Sequence, residues 1–389
     1  MPELMTEVES LLSRLVSFDT TSHRSNLAVA GFIEGYLQQH GVTCHRIPDA
    51  HQPKTSLWAT IGPEATAGYI LSGHTDTVPV AGQAWSSNPF ELTRREDRLF
   101  GRGTCDMKGF LAVCLALVPR MKAAALKVPL HLAISYDEEV GCTGVRPMLG
   151  EIPSLARIRP RGCFVGEPTS MDVVIGHKSK HSMRAIVRGK ACHSALPSAG
   201  VNAVEAAADL IALVRAKARR LAASGARDAE HEVPFTTGLT TIVTGGTANN
   251  IVPERCEVEF EFRGISTDDP TALCQEIVAE ARATIEPAMQ AADPATGIDF
   301  VDVVAYPGLE TPADAEIVRL AKRLSGRNGH FKAAYGTEAG LFQAIAGIPS
   351  VVIGPGSILQ AHKPDEFVEI AQLDSCAAFI ERLIAHCSG

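Results

Sequence analysis

Between residues 68 and 167 the chain alternates short apolar runs with longer helical patterns, and no other feature restricts the possible folds as strongly. GYILSG is followed by KGFLAVCLALVPRMKAA, then by PLHLAISYD and RGCFVGEP. Apolar runs of four to eight residues separated by helix-length segments predict parallel strands joined by crossover helices. Near residue 180 the texture changes. SKHSMRAIVRG alternates apolar and polar residues as a half-solvated strand does, a helix is expected from Asn202, and TGLTTIVTGG and RCEVEFEFRG alternate again. A further helix, TALCQEIVAEARATI, and a last strand, GIDFVDVVAYP, complete a β-α-β-β-α-β order, which fits an antiparallel, ferredoxin-like sheet with helices on one face. After Thr311 the first texture returns with the helix ADAEIVRLAKRLSG and the apolar strand SVVIGPG. The expected class is α/β: a mostly parallel-sheet domain over 1–180 and 308–389, interrupted by an α+β domain over 181–307.

Charge narrows the partners. With 36 basic and 44 acidic residues the formal charge is −8, which offers no overall attraction to a phosphate backbone or an anionic membrane. The basic patch from Arg215 to Arg220 falls on a helical pattern and reads as a solvated face. The start, MPELMTEVESLLSRLVSF, reads as an amphipathic helix without the basic and apolar regions of a secretory signal. The longest apolar run, FLAVCLALVP, is half of the roughly 20 residues a membrane span needs. A cytoplasmic protein is expected. Its ten cysteines are scattered and form no Cys-x-x-Cys pair, so they read as small buried hydrophobes.

Chemistry concentrates at the ends of the apolar runs. GYILSGHTDTVPV carries His74 and Asp76 two residues apart, so on a strand they would share a face, one ligating a metal while the other orients it. Asp106 in GRGTCDMKG, Glu138 and Glu139 in SYDEEVG, Glu167 in FVGEPT and His362 in GPGSILQAHKPDE occupy similar strand-end or turn positions. In an open α/β sheet the loops after the strands converge on one crevice. Two histidines and three carboxylates meeting there would make a two-metal site, with one imidazole and one terminal carboxylate per metal and one carboxylate bridging. Such donors suit zinc, cobalt or manganese. Of the neighbours Glu138 and Glu139, which face opposite ways on an extended chain, one would ligate and the other would act as a base toward water, the chemistry of amide hydrolysis. Neither the Gly-x-Ser-x-Gly elbow of a serine hydrolase nor a phosphate-binding loop ending in Lys-Ser/Thr is present.

The segments GHTDTVP, GRGTCDMKG, YDEEVG, VGEPT, GKACHSALPSAGVNA, GGTANNIVPE and GPGSILQAHKPDEF, in this order, resemble those of the dinuclear zinc metallopeptidases and aminoacylases over nearly the whole chain. The resemblance implies a zinc-peptidase-like catalytic domain with an inserted lid or dimerisation domain, and a cofactor of two divalent ions, zinc first, with cobalt or manganese as alternatives. It implies that His74 and Glu167 hold one metal and Glu139 and His362 the other, that Asp106 bridges, and that Asp76 orients His74. Glu138 would be the general base. A cis peptide is implied between Asp106 and Met107. His193 matches a histidine that stabilises the oxyanion, often from the neighbouring subunit of a homodimer; a monomer with a flexible lid is the alternative. Asn250 and Arg263 match positions that bind the substrate carboxylate. Glu338 in YGTEAGLFQ has two readings, a charge favouring a substrate amine or an acid placed at a helix N-terminus.

Within that family, YGTEAGLFQ, GPGSILQAHKPDEFV and the Thr-Cys pair of GRGTCDMKGF are most similar to the acetylornithine deacetylase branch. The expected substrate is thus a small N-acyl amino acid, N-acetyl-L-ornithine. Desuccinylases of succinyl-diaminopimelate, acetylcitrulline deacetylases, aminoacylases and dipeptidases share the same metal chemistry. A silent binding protein on this scaffold would be expected to have lost a ligand or the base, and all six positions stand.

Overall fold

The structure is a computed structural model that describes residues 2–389. The chain forms two compact units. One runs to Gly176 and resumes at Leu309–Lys332 and Thr337–Gly389; the other comprises His177–Gly308 and Ala333–Gly336.

The first unit is built on a nine-stranded sheet. At its centre the strands Leu130–Ser135, Tyr69–His74, Gly162–Val165 and Ser350–Val352 lie side by side and parallel. Every residue of these four strands is buried, which is why their sequences are near-continuous apolar runs. Antiparallel strands flank this core: Thr55–Ile61 and Cys44–Pro48 on one side, and Val174–His177 on the other. Helices cover the sheet, among them Gly109–Ala116, buried at all eight positions. The expected single helix KGFLAVCLALVPRMKAA is two, Gly109–Ala116 and Val118–Ala123, divided at Leu117, because Pro119 cannot donate a helical hydrogen bond and suits the first turn of a new helix. The amphipathic N-terminal segment is helical over Pro2–Val16 and packs Val8, Leu12 and Leu15 into the core. Among the described residues no helix is long and apolar enough to cross a membrane.

The second unit follows the β-α-β-β-α-β order, with two additional short helical segments, the 3-10 turn Pro197–Ala199 and the helix Glu286–Ala292. Its four antiparallel strands are arranged Thr237–Gly245, Arg255–Gly264, Ser179–Arg188, Gly297–Tyr306. Met183, Ala185 and Val187 alternate along one strand toward Leu210, Cys274 and Ile277 of the helices, giving this unit a core of its own. Its longest helix, Ala203–Ser224, starts where the Asn202 side chain accepts hydrogen bonds from the main-chain N–H groups of Val204 and Glu205. None of the ten cysteines is bridged, and all but Cys44 and Cys192 are buried.

Candidate metal centre

His74 is the last residue of the Tyr69–His74 strand, at its carboxyl end, and is 0% exposed. The strand stops there, so Asp76 lies in the following loop rather than two positions along the same face. It reaches the imidazole all the same: His74 Nδ1 is 3.3 Å from Asp76 Oδ1 and 3.0 Å from the Asp76 main-chain oxygen. This leaves His74 Nε2 aimed at Asp106 Oδ1, 3.2 Å away, and Glu167 Oε1, 3.4 Å away.

On its far side Asp106 repeats the pattern. His362 Nε2 lies 3.3 Å from Asp106 Oδ2 and 3.0 Å from Glu139 Oε2. The two oxygens of one aspartate therefore face two imidazoles, each with a further carboxylate beside it. The peptide after Asp106 is cis. Ligand atoms of His74, Asp106 and Glu139 lie within 4.8 Å of one another, and so do those of His74, Glu138 and Glu167.

Asp76 has a second task that His-x-Asp spacing does not announce. Its Oδ1 accepts the N–H of Glu138 at 3.1 Å, and its Oδ2 accepts the N–H of Glu139 at 3.3 Å and the hydroxyl of Ser22 at 2.8 Å. One carboxylate thus orients His74 and pins the turn that presents both glutamates. That turn is also held by Asp137, whose backbone is left-handed (φ 53°) and whose carboxylate takes the buried ammonium of Lys54 at 2.6 and 2.7 Å. Sequence reading missed Lys54, Asp137 and Ser22. Asp137 stands inside the YDEEVG motif, whereas Lys54 and Ser22 lie far off in sequence with no local pattern to mark them.

The electrostatics of the cluster favour bound cations. Burial alone would raise Asp106 and lower His74; hydrogen bonds from His362 and His74 instead hold the Asp106 carboxyl below its usual range, and those that His74 gives to Asp106, Asp76 and Glu167 hold its own pKa well above. His362 is pushed up to about 10 by Asp106 and Glu139. Burial, and then repulsion from Asp106, raises Glu139 to about 7 and Glu167 to about 8. Glu138 is raised well above the carboxylate range by burial and by Glu167. Two divalent cations would neutralise the excess of buried carboxylate charge that shifts these groups. The donor set, imidazole nitrogen and carboxylate oxygen with one carboxylate shared, fits such a pair.

Glu338 comes to the same region, against the serines of two central strands. It is 1% exposed and accepts hydrogen bonds from Ser135, at the end of the neighbouring strand, and from Ser72 at 3.4 Å. Burial raises its carboxyl to about 7. It precedes the helix Ala339–Ala346 as the N-terminal acid of the second reading. The other expected residues belong to the second unit. His193 and Asn250 are exposed neighbours there, with His193 bridged to Ile251 and the N–H of Ser194 donating to the Asn250 carbonyl at 3.0 Å. Arg263 donates to Glu261 at 2.7 Å.

Residues 70–386 match the model of peptidase family M20/M25/M40. An acetylornithine deacetylase of Myxococcus xanthus is 33% identical over 397 residues, covering 100% of both chains. One of Yersinia pseudotuberculosis is 32% identical over 381 residues, 95% of this chain and 92% of the relative. Among solved structures, a metallo-carboxypeptidase of that family from Sulfolobus solfataricus superposes with a TM-score of 0.78 at 17% identity (98% of this chain, 99% of the other). A dinuclear metal-binding peptidase of Bacillus subtilis gives 0.68 at 15% (99% of each). These structural likenesses speak for the fold. Full-length identity to curated relatives, the family match and a shared aspartate between two imidazoles agree, and the chain belongs to peptidase family M20/M25/M40.

Proposed function

We propose that this chain is a metal-dependent amidohydrolase that releases acetate from N-acetyl-L-ornithine, leaving L-ornithine for arginine biosynthesis. The observation that carries the hydrolase reading is Asp106 offering one oxygen to each of two imidazoles, with Glu138 beside them. The acetylornithine part rests on the full-length relatives of that name.

In this reading His74 and Glu167 hold one cation, Glu139 and His362 the other, and Asp106 both. Bound there, the pair would polarise the amide carbonyl and lower the pKa of water from 15.7 toward about 7. Glu138 takes the proton of the attacking water and returns it to the leaving amine nitrogen. Burial and the nearby Glu167 raise its carboxyl, the direction that suits a group which must both accept a proton and give it back. Asp76 keeps His74 in the tautomer that points Nε2 at the centre. The motif resemblance assigns the oxyanion to His193 and the substrate carboxylate to Asn250 and Arg263. Glu338 is too enclosed by Ser72 and Ser135 to be an open wall of a pocket, so any preference it confers for a cationic side chain acts through its field. Zinc is the expected metal, with cobalt or manganese as substitutes, and the protein is expected to be a cytoplasmic homodimer.

The test is the initial rate of acetate release from N-acetyl-L-ornithine by zinc- or cobalt-loaded protein beside a chelated control. Rapid, metal-dependent release supports the reading. No release from protein carrying two ions removes this substrate and moves the assignment to a succinyl, citrulline or peptide substrate.

A further inference from the structure

We infer that Gln83, Arg102 and Glu366 form a clamp, buried at Arg102 and Glu366, that positions the Asp106 and His362 side of the metal centre, separately from whatever holds His74. Arg102 and Glu366 are each 1% exposed and their Nη1 and Oε2 atoms are 2.7 Å apart. The other oxygen of Glu366 accepts the main-chain N–H groups of Cys105, at 2.9 Å, and of Asp106 itself, at 3.1 Å. The backbone of the shared aspartate is thereby tied to a carboxylate fixed by a buried guanidinium.

The same arginine reaches the second imidazole. Arg102 Nη2 donates to the side-chain oxygen of Gln83, and Gln83 Nε2 donates to the main-chain carbonyl of His362 at 3.0 Å. Arg102 Nη1 also donates to the carbonyl of Lys363 at 3.3 Å. His362 itself sits in a loop with a left-handed backbone, φ 62°, a conformation that a non-glycine residue holds only when its surroundings impose it. Trp85 adds a flat cover: its indole N–H donates to Gln83 Oε1 at 3.0 Å, and the Arg102 guanidinium lies 5.0 Å from its ring centroid. A small antiparallel pairing of Phe367–Glu369 with Arg98–Phe100 keeps the two segments together, and the N–H of Gly101 closes it on the Glu366 carbonyl at 2.9 Å.

These residues touch no reacting atom; they are positioning residues, and the inference rests on the two-metal reading above. Outer partners of this kind typically change metal affinity 10–100-fold when removed. The experiment titrates Co2+ alone into the metal-free full chain, followed by calorimetry and by the visible absorption of the bound ion, for wild type, Gln83→Ala and Glu366→Gln. Gln83→Ala leaves the buried ion pair whole, so its fold is secure. Glu366→Gln keeps an acceptor for the two N–H groups but removes the charge that fixes it. The expected result is that in Gln83→Ala one of the two ions binds about 10–100-fold more weakly and shows an altered spectrum while the other keeps its wild-type affinity, and that in Glu366→Gln, which frees the backbone of the shared aspartate, both ions bind more weakly at a wild-type melting temperature. Wild-type affinity for both ions in either variant overturns the clamp, as does weakening that comes only with a lowered melting temperature, which marks a merely structural role. A wild-type chain that takes up fewer than two ions overturns the two-metal reading and the clamp with it.

Discussion

His74 and His362 meet at the same aspartate but are carried by opposite kinds of backbone. His74 ends a strand in the middle of a parallel sheet, is fully buried, and is backed by Asp76 within its own loop. The side chain of His362 is 50% exposed, on a loop whose conformation depends on hydrogen bonds from elsewhere in the chain. The contrast teaches that a dinuclear site need not be uniformly rigid. One half is fixed by the element that forms it. The other half is fixed by a polar network, where each bond is worth little alone and the loss of one partner exposes the rest.

The comparison is broken most sharply at Glu138, which groups with His74 and Glu167 while Glu139 faces His362. Glu138→Gln should lower the rate of N-acyl hydrolysis by about 10²–10⁴-fold with both metals retained, measured as rate beside metal content. Loss of an ion in that variant would make Glu138 a ligand and erase the division between the halves. Next comes the turn that feeds both. Lys54→Met leaves the Asp137 carboxylate buried without its cation, a change that should cost about 3–5 kcal/mol of unfolding free energy by denaturant titration. A cost under 1 kcal/mol would show that the Asp76 hydrogen bonds hold the turn by themselves.

The sheet half also has a pH signature. His131, on the strand beside Tyr69–His74, stacks on Trp58 with ring centroids 5.0 Å apart, and its Nε2 is buried with no hydrogen-bond partner. Burial holds its pKa down to about 4. The unfolded chain binds this proton near 6.5 and the folded chain only near 4, so the unfolded state carries more protons in between. Stability is therefore full above about 6.5 and falls by about 3 kcal/mol as the pH drops toward 4. His131→Leu should flatten that slope in chemical unfolding between pH 4 and 7; an unchanged slope would assign the acid sensitivity elsewhere. The smallest expected effect is the most direct test of the contrast. Asp76→Asn should weaken the ion at His74 by about 10–100-fold and, through the lost Glu139 N–H contact, the other ion less, the reverse of the order expected for Gln83→Ala. If both variants weaken the same ion more in a cobalt titration, the two halves are not held separately.

Much of this was legible beforehand for physical reasons. A parallel sheet buries both faces, so its strands announce themselves as apolar runs, while the half-solvated strands of the second unit announce themselves by alternation. The proposed ligands His74, Asp106, Glu139, Glu167 and His362 could be picked out because each ends a run or sits in a tight turn, and the motif resemblance then implied their roles. The pairing of Glu366 with the Asp106 N–H group could not be read, although both residues lie in motifs already noted, because a hydrogen bond across 260 positions leaves no local periodicity. Nor could the break of the expected helix at Leu117 be placed from its apolar content, since Gly109–Ala116, Leu117 and Val118 are all buried.

By itself the sequence determined the strand and helix order, the insertion of one texture within another and the donor types available for metal, because side-chain period and chemistry are local properties. Only the tertiary structure decided that Asp106 turns one oxygen to each imidazole, that Asp76 serves His74 and both glutamates at once, and that Glu338 is enclosed by serines. Those are distances between segments tens to hundreds of residues apart, and they are set by how the sheet and its loops pack rather than by any residue's own preference.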